Sequence, residues 1–150
     1  MSFKFQVISD IHLEMRKNII PKIKSKCDIL FMAGDIGNYK ESNFERFLDY
    51  VSKKFKQSFY ITGNHEYYNH IKKIADEKYK KILDKYDNIT YLNKDAGVVN
   101  IGDIDIVGCT LWSSPIEIRG LNDFKRIKVE KYNGSVTVSY THLTLPTKRI

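Results

Sequence analysis

Three observations predict an α/β fold. Short apolar runs of strand length recur along the chain, two stretches with apolar residues at helical spacing lie between them, and the elements follow the order β-β-α-β-α-β before a final hairpin. The 150 residues are 42% hydrophobic and 29% charged, which suits one soluble domain. No internal repeat or flexible linker interrupts it.

The first strand is expected at Lys4–Ser9 (KFQVIS), followed by the polar turn Asp10-Ile11-His12. Asp28–Ala33 (DILFMA) is almost wholly apolar, as befits a strand covered on both faces, and it ends in Gly34-Asp35. Phe44, Phe47, Leu48, Val51 and Phe55 then mark the buried stripe of a helix, with Ser42 and Glu45 spaced as a capping box. Ser58–Thr62 is the third strand and runs into Gly63, Asn64, His65 and Glu66. A second helix follows, with Ile71, Ile74, Ala75, Tyr79, Ile82, Leu83 and Tyr86 on one face. Asn88–Leu92 is a further strand, and Gly97–Ile101 and Ile104–Gly108 flank the hairpin turn Gly102-Asp103.

Composition narrows the partners. No segment approaches the roughly 18 apolar residues of a membrane span. The start, MSFKFQVISD, lacks the pattern of a signal peptide, so a cytoplasmic location is expected. Cys27 and Cys109 are too few for a disulfide framework and are expected to be reduced and buried. The formal charge is +7 and the pI about 9.3. The lysines are interspersed with acids on helix faces such as KKIADEKYKKILDKY, so a dedicated nucleic-acid surface is not favoured. The excess charge can still draw in a phosphate-bearing substrate. The oligomeric state is not legible.

Three strands end in side chains suited to chemistry: Asp10 and His12 after the first, Asp35 after the second, Asn64 and His65 after the third. Ligands in open α/β sheets bind outside the carboxyl ends of the strands, so parallel neighbours would bring all five together. Carboxylates, imidazoles and an amide oxygen suit a borderline divalent metal such as Mn, Fe or Zn. A carboxylate bridging two such ions supports in-line attack on phosphorus. His65 can instead stand beyond the metals and protonate the departing oxygen.

SDIHLE (Ser9–Glu14), AGDIGN (Ala33–Asn38) and GNHEYY (Gly63–Tyr68) resemble, in order, the first three motifs of the calcineurin-like metallophosphoesterases. GCTLWS (Gly108–Ser113) and LNDFKRIK (Leu121–Lys128) extend the resemblance toward a bacterial subgroup of uncharacterised phosphoesterases. The resemblance implies two packed mixed sheets flanked by helices, and a hydrolase that uses two divalent metal ions on a phosphomonoester or phosphodiester. It implies that Asp10 and His12 bind the first metal, Asp35 bridges both and Asn64 binds the second. His65 would contact the phosphate and protonate the leaving group. The rivals are a nuclease of the same fold, in which Asp is usual where this chain has Glu66, and a non-catalytic binding protein that keeps the fold.

The family completes the metal shell with histidines from two later motifs, which this chain lacks. His70 is expected to be a surface or cap residue. His142 lies in VSYTHLTLPT (Val138–Thr147), which resembles a translated transposon-end sequencing adapter. Residues 1–137 are therefore expected to be the N-terminal part of a phosphoesterase domain and 138–150 a non-native tail. Its loss removes Lys148 and Arg149 and takes the charge from +7 to +5. On this reading the chain is a truncated, inactive fragment with an uncovered apolar sheet face. Glu66, Tyr67 and Tyr68 are expected to pack and cap the next helix rather than line an entrance. Trp112, Asn122 and Asp123 receive no chemical role.

Overall fold

In the computed structural model four parallel strands lie side by side in chain order: β1 (Phe5–Ile8), β2 (Ile29–Ala33), β3 (Gln57–Ile61) and β4 (Ile89–Tyr91). The structure describes residues 3–111 together with Asp123, Arg126, Ile127 and Lys128. The expectations for Trp112, Asn122 and the segment 135–150 lie outside these residues.

The register explains why β2 and β3 are apolar at almost every position. Leu30, Met32 and Tyr60 face one way, and Ile29, Phe31, Phe59 and Ile61 face the other. The first face is covered by α1 (Ser42–Lys54) and α2 (Lys72–Leu83). Helix α1 buries Phe44, Phe47, Leu48 and Val51 completely, each contributing about 1.5–3 kcal/mol of apolar transfer. Helix α2 buries Ala75, Tyr79 and Leu83 at a spacing of four.

The second face carries a two-stranded antiparallel sheet, β5 (Val99–Ile101) and β6 (Ile104–Ile106). Ile101 pairs with Ile104 across a two-residue turn, and Gly102 at φ 59° supplies the positive dihedral that such a turn needs. Ile106 packs on Phe59 and Leu92, with Val99 and Ile101 alongside. Helices on a sheet, and that sheet on a second one, form the layered α/β architecture the sequence predicts. Among the described residues the second layer covers β3 and Leu92, just past β4, but not β1, where Phe5 and Val7 are each 54% exposed. No helix among the described residues is long and apolar enough to cross a membrane.

Three local expectations need correction. The capping box is not made: Glu41 occupies the N-cap of α1 and Ser42 is already helical. Tertiary contacts decide the helix start. The Asn43 amide donates to the carbonyls of Leu13 and Arg16 at 2.8 and 2.9 Å, and Glu45 accepts from Lys85 instead of turning back. Ile74 lies off the buried stripe of α2 and is exposed. Cys27 and Cys109 are free, as expected, but half-buried rather than buried.

His70 is not on the surface. It is only 7% exposed, because the loop after β2 folds over it. Its Nε2 lies 2.8 Å from the Asn38 amide nitrogen and 3.2 Å from Asn38 Oδ1, and its Nδ1 faces the Tyr39 hydroxyl at 3.3 Å. Burial, then Lys40 and Lys128, lower its pKa below the usual imidazole value. A depressed imidazole pKa means that the fold prefers the neutral ring. This stability is complete above the unfolded pKa of about 6.5 and is lost as the pH falls through the lower folded value. The urea midpoint is therefore expected to fall between pH 7.5 and pH 5.5, and His70→Gln to flatten that part of the profile. Equal slopes in both proteins would refute the assignment.

Candidate metal centre

The ends of β1 and β2 are tied together by backbone before any side chain is considered. The amides of Asp10, His12 and Leu13 donate to the carbonyls of Gly34, Asp35 and Ile36 at 3.2, 2.9 and 2.9 Å. The bends place Asp10, His12 and Asp35 in the left-handed region, at φ 55°, 50° and 54°. These are three of the five described non-glycine residues with positive φ. Asp and His tolerate this conformation better than most, yet it remains unfavourable by about 1–3 kcal/mol, and such strain gathers at functional sites.

Two glycines allow the β2 and β3 loops to touch. A Cβ on Gly34 would stand 3.0 Å from Gly63 backbone atoms, and one on Gly63 would stand 2.2 Å from Asp35 Oδ1. The Gly-Asp and Gly-Asn-His motifs thus need glycine for the same reason: Asp35 lies against the backbone of the neighbouring loop.

Glu66 locks this contact from below. Its side chain is fully buried. One carboxylate oxygen accepts from the amides of Ile36 and Gly37 at 2.7 and 3.2 Å and from the Tyr60 hydroxyl at 2.9 Å. The other accepts from the amides of Asp35 and Gly63 at 3.0 and 2.8 Å. Burial pushes the carboxyl pKa up, and Asp35 adds to that. The hydrogen bonds from Tyr60, Gly63 and Ile36 act in the opposite direction. Burial and Glu66 together hold the Tyr60 phenol protonated, so it donates. Glu66 packs, as expected, and its backbone carbonyl accepts from Tyr79 of the following helix at 3.3 Å, but its carboxylate serves the two site loops and Tyr60.

On this frame, ligand atoms of His12, Asp35 and His65 all lie within 4.8 Å of one another. Asp35 Oδ1 accepts from the His65 backbone amide at 2.9 Å, which fixes the carboxylate. Asp10 stands on the same edge, with Oδ1 3.9 Å from His12 Nε2, but its side chain is 69% exposed. Asn64 is held differently: its Nδ2 donates to the Tyr68 hydroxyl at 2.9 Å and to Asp123 Oδ1 at 2.8 Å. Tyr68 also donates to Asp123 Oδ1 at 2.6 Å, and burial and Asp123 push its pKa up to about 12. With its amide hydrogens engaged, Asn64 keeps its carbonyl oxygen for another partner.

The donor set fits a divalent cation, since imidazole nitrogens and a carboxylate oxygen gathered within 4.8 Å of one another suit Mn, Fe or Zn. The cluster includes His65, for which the sequence had suggested a role beside the metals rather than among the ligands. Sequence reasoning missed Glu66 as the loop clamp and the pair Tyr68 and Asp123 as the holders of Asn64. It also missed Glu14, whose Oε1 lies 3.1 Å from His12 Nδ1 and 3.0 Å from His65 Nδ1. Its position two residues beyond His12 in SDIHLE was the available signal.

Comparison with known proteins agrees with this geometry. An uncharacterised protein of Acanthamoeba polyphaga mimivirus is 31% identical over 143 residues, covering 81% of this chain and 50% of its own length. An uncharacterised metallophosphoesterase of Campylobacter jejuni (subsp. jejuni serotype O:2) is 29% identical over 154 residues, covering 93% of this chain and 38% of its own length. The chain thus spans half or less of the curated relatives it matches. No solved structure matches it. The family model described as calcineurin-like phosphoesterase matches residues 3–146, and the chain belongs to that family.

Proposed function

We propose that this chain carries the ligand edge of a hydrolase that cleaves a phosphomonoester or phosphodiester with two divalent metal ions. The observation that carries the reading is the convergence of His12, Asp35 and His65 within 4.8 Å at the carboxyl ends of three parallel strands. Asp10 and His12 would hold one ion, Asn64 the other, and Asp35 both. A bound pair supplies a water of lowered pKa and positive charge against the non-bridging phosphate oxygens. The chain's own residues do the rest. The His65 amide and the Glu66 clamp fix Asp35, Tyr68 and Asp123 orient Asn64, and the His65 ring delivers a proton to the departing oxygen.

The test is turnover of p-nitrophenyl phosphate and its bis-ester by the product of the complete gene loaded with Mn²⁺. Hydrolysis of at least one ester, abolished by chelator, is expected. Loss of both would sink the reading, and cleavage of single-stranded DNA alone would replace it with a nuclease. Absence of metal binding in calorimetry would point to a binding protein. The 150-residue chain by itself is expected to bind metal weakly and to turn over negligibly, because Asp35 and Asn64 do not complete a second ion's shell.

A further inference from the structure

We infer that Glu14 is a positioning residue that sets the tautomer and orientation of both site histidines; the inference rests on the phosphoesterase reading for its purpose but not for its geometry. One carboxylate oxygen, Oε1, lies 3.1 Å from His12 Nδ1 and 3.0 Å from His65 Nδ1. The two rings meet edge to face with centroids 4.3 Å apart, so both Nδ1 atoms converge on that oxygen. An ionised carboxylate only accepts, so in the neutral rings each Nδ1 carries the hydrogen. Nε2 of His12 keeps its lone pair toward the proposed ions, and Nε2 of His65 is the atom through which that ring passes a proton to the departing oxygen. The His12 Nε2 is the nitrogen 3.9 Å from Asp10 Oδ1.

The support beneath Glu14 is closely packed. It lies in the short 3-10 turn Leu13–Met15, whose Leu13 is buried against Gly37 so closely that a Cβ there would meet the Leu13 Cβ at 2.7 Å. The Leu13 carbonyl is capped by the buried Asn43 amide. Glu14 also carries a penalty that packing does not explain: its Oε2 is buried without a hydrogen-bond partner among the described residues. An orphaned buried acceptor is unfavourable, and such groups are retained where a site requires them. Partners of this kind, which accept the second N–H of a metal-facing imidazole, typically change metal affinity 10–100-fold.

The experiment is long-range ¹H–¹⁵N NMR of the metal-free chain at a pH where both imidazoles are neutral, combined with calorimetric titration by Mn²⁺. In the wild type both rings are expected as the Nδ1–H tautomer. Glu14→Ala is expected to release both to a tautomer mixture and to weaken Mn²⁺ about 10–100-fold. Glu14→Gln keeps an acceptor oxygen at the same reach and is expected to restore most of the Nδ1–H population. Nε2–H tautomers in the wild type would overturn the inference, and so would unchanged tautomers in Glu14→Ala. If Glu14→Ala fails to fold, the wild-type and Glu14→Gln spectra still decide it. A wild type with Nδ1–H rings but no metal binding would count against the metal reading alone.

Discussion

Asp35→Ala is expected to weaken Mn²⁺ binding by more than about 100-fold, at or above the top of the range for losing a supporting residue. The reason is position. Asp35 shares the cluster with both imidazoles, its carboxylate is fixed by the His65 amide, and its own amide is held by Glu66. Asp10, largely exposed and 3.9 Å from His12, is expected to matter less when changed to Ala. Calorimetric titration measures both, with circular dichroism melts to confirm folding. Asp35→Asn separates charge from structure, since its carbonyl still accepts the His65 N–H while the negative charge is gone. It is expected to melt near the wild type and still to bind Mn²⁺ far more weakly. Wild-type affinity in Asp35→Asn would show that the ion is not held at this strand end.

The strands were legible because their information is local. An apolar run that stops in Gly-Asp or Gly-Asn-His announces both a buried strand and its carboxyl end, and Asp28–Ala33 and Ser58–Thr62 contain β2 and nearly all of β3. The stripe Phe44, Phe47, Leu48, Val51 was legible for the same reason. What stayed hidden depends on partners far along the chain. Glu66 accepts from Ile36 and Asn64 donates to Asp123, separations of 30 and 59 residues that no periodicity encodes. The capping box failed because docking of Asn43 on Leu13 and Arg16 overrode a local motif. His70 looked exposed because polar neighbours in sequence say nothing about the Asn38-Tyr39 loop that covers it.

The same long-range logic makes Glu66 the most sensitive position for stability. Glu66→Ala would strand four buried or half-buried backbone amides, those of Asp35, Ile36, Gly37 and Gly63, and the Tyr60 hydroxyl. Each orphaned donor costs about 1–3 kcal/mol, less where the loops relax or water enters, so a loss above about 4 kcal/mol is expected. That is a large share of the 5–15 kcal/mol typical of a domain, and the cooperative urea transition can vanish altogether. Glu66→Gln then carries the test. The amide keeps the shape and one acceptor oxygen but turns an NH₂ toward two or three donors, so about 2–4 kcal/mol is expected as a lower urea midpoint at unchanged slope. Tyr60→Phe removes one of the five donors and is expected to cost only about 1 kcal/mol. A Glu66→Gln midpoint no lower than that of Tyr60→Phe would mean that the loops hold themselves. A midpoint well below it, together with weakened Mn²⁺ binding in the folded protein, would tie the clamp to Asp35: the carboxylate that secures the two loops also sets where the metal ligand can stand.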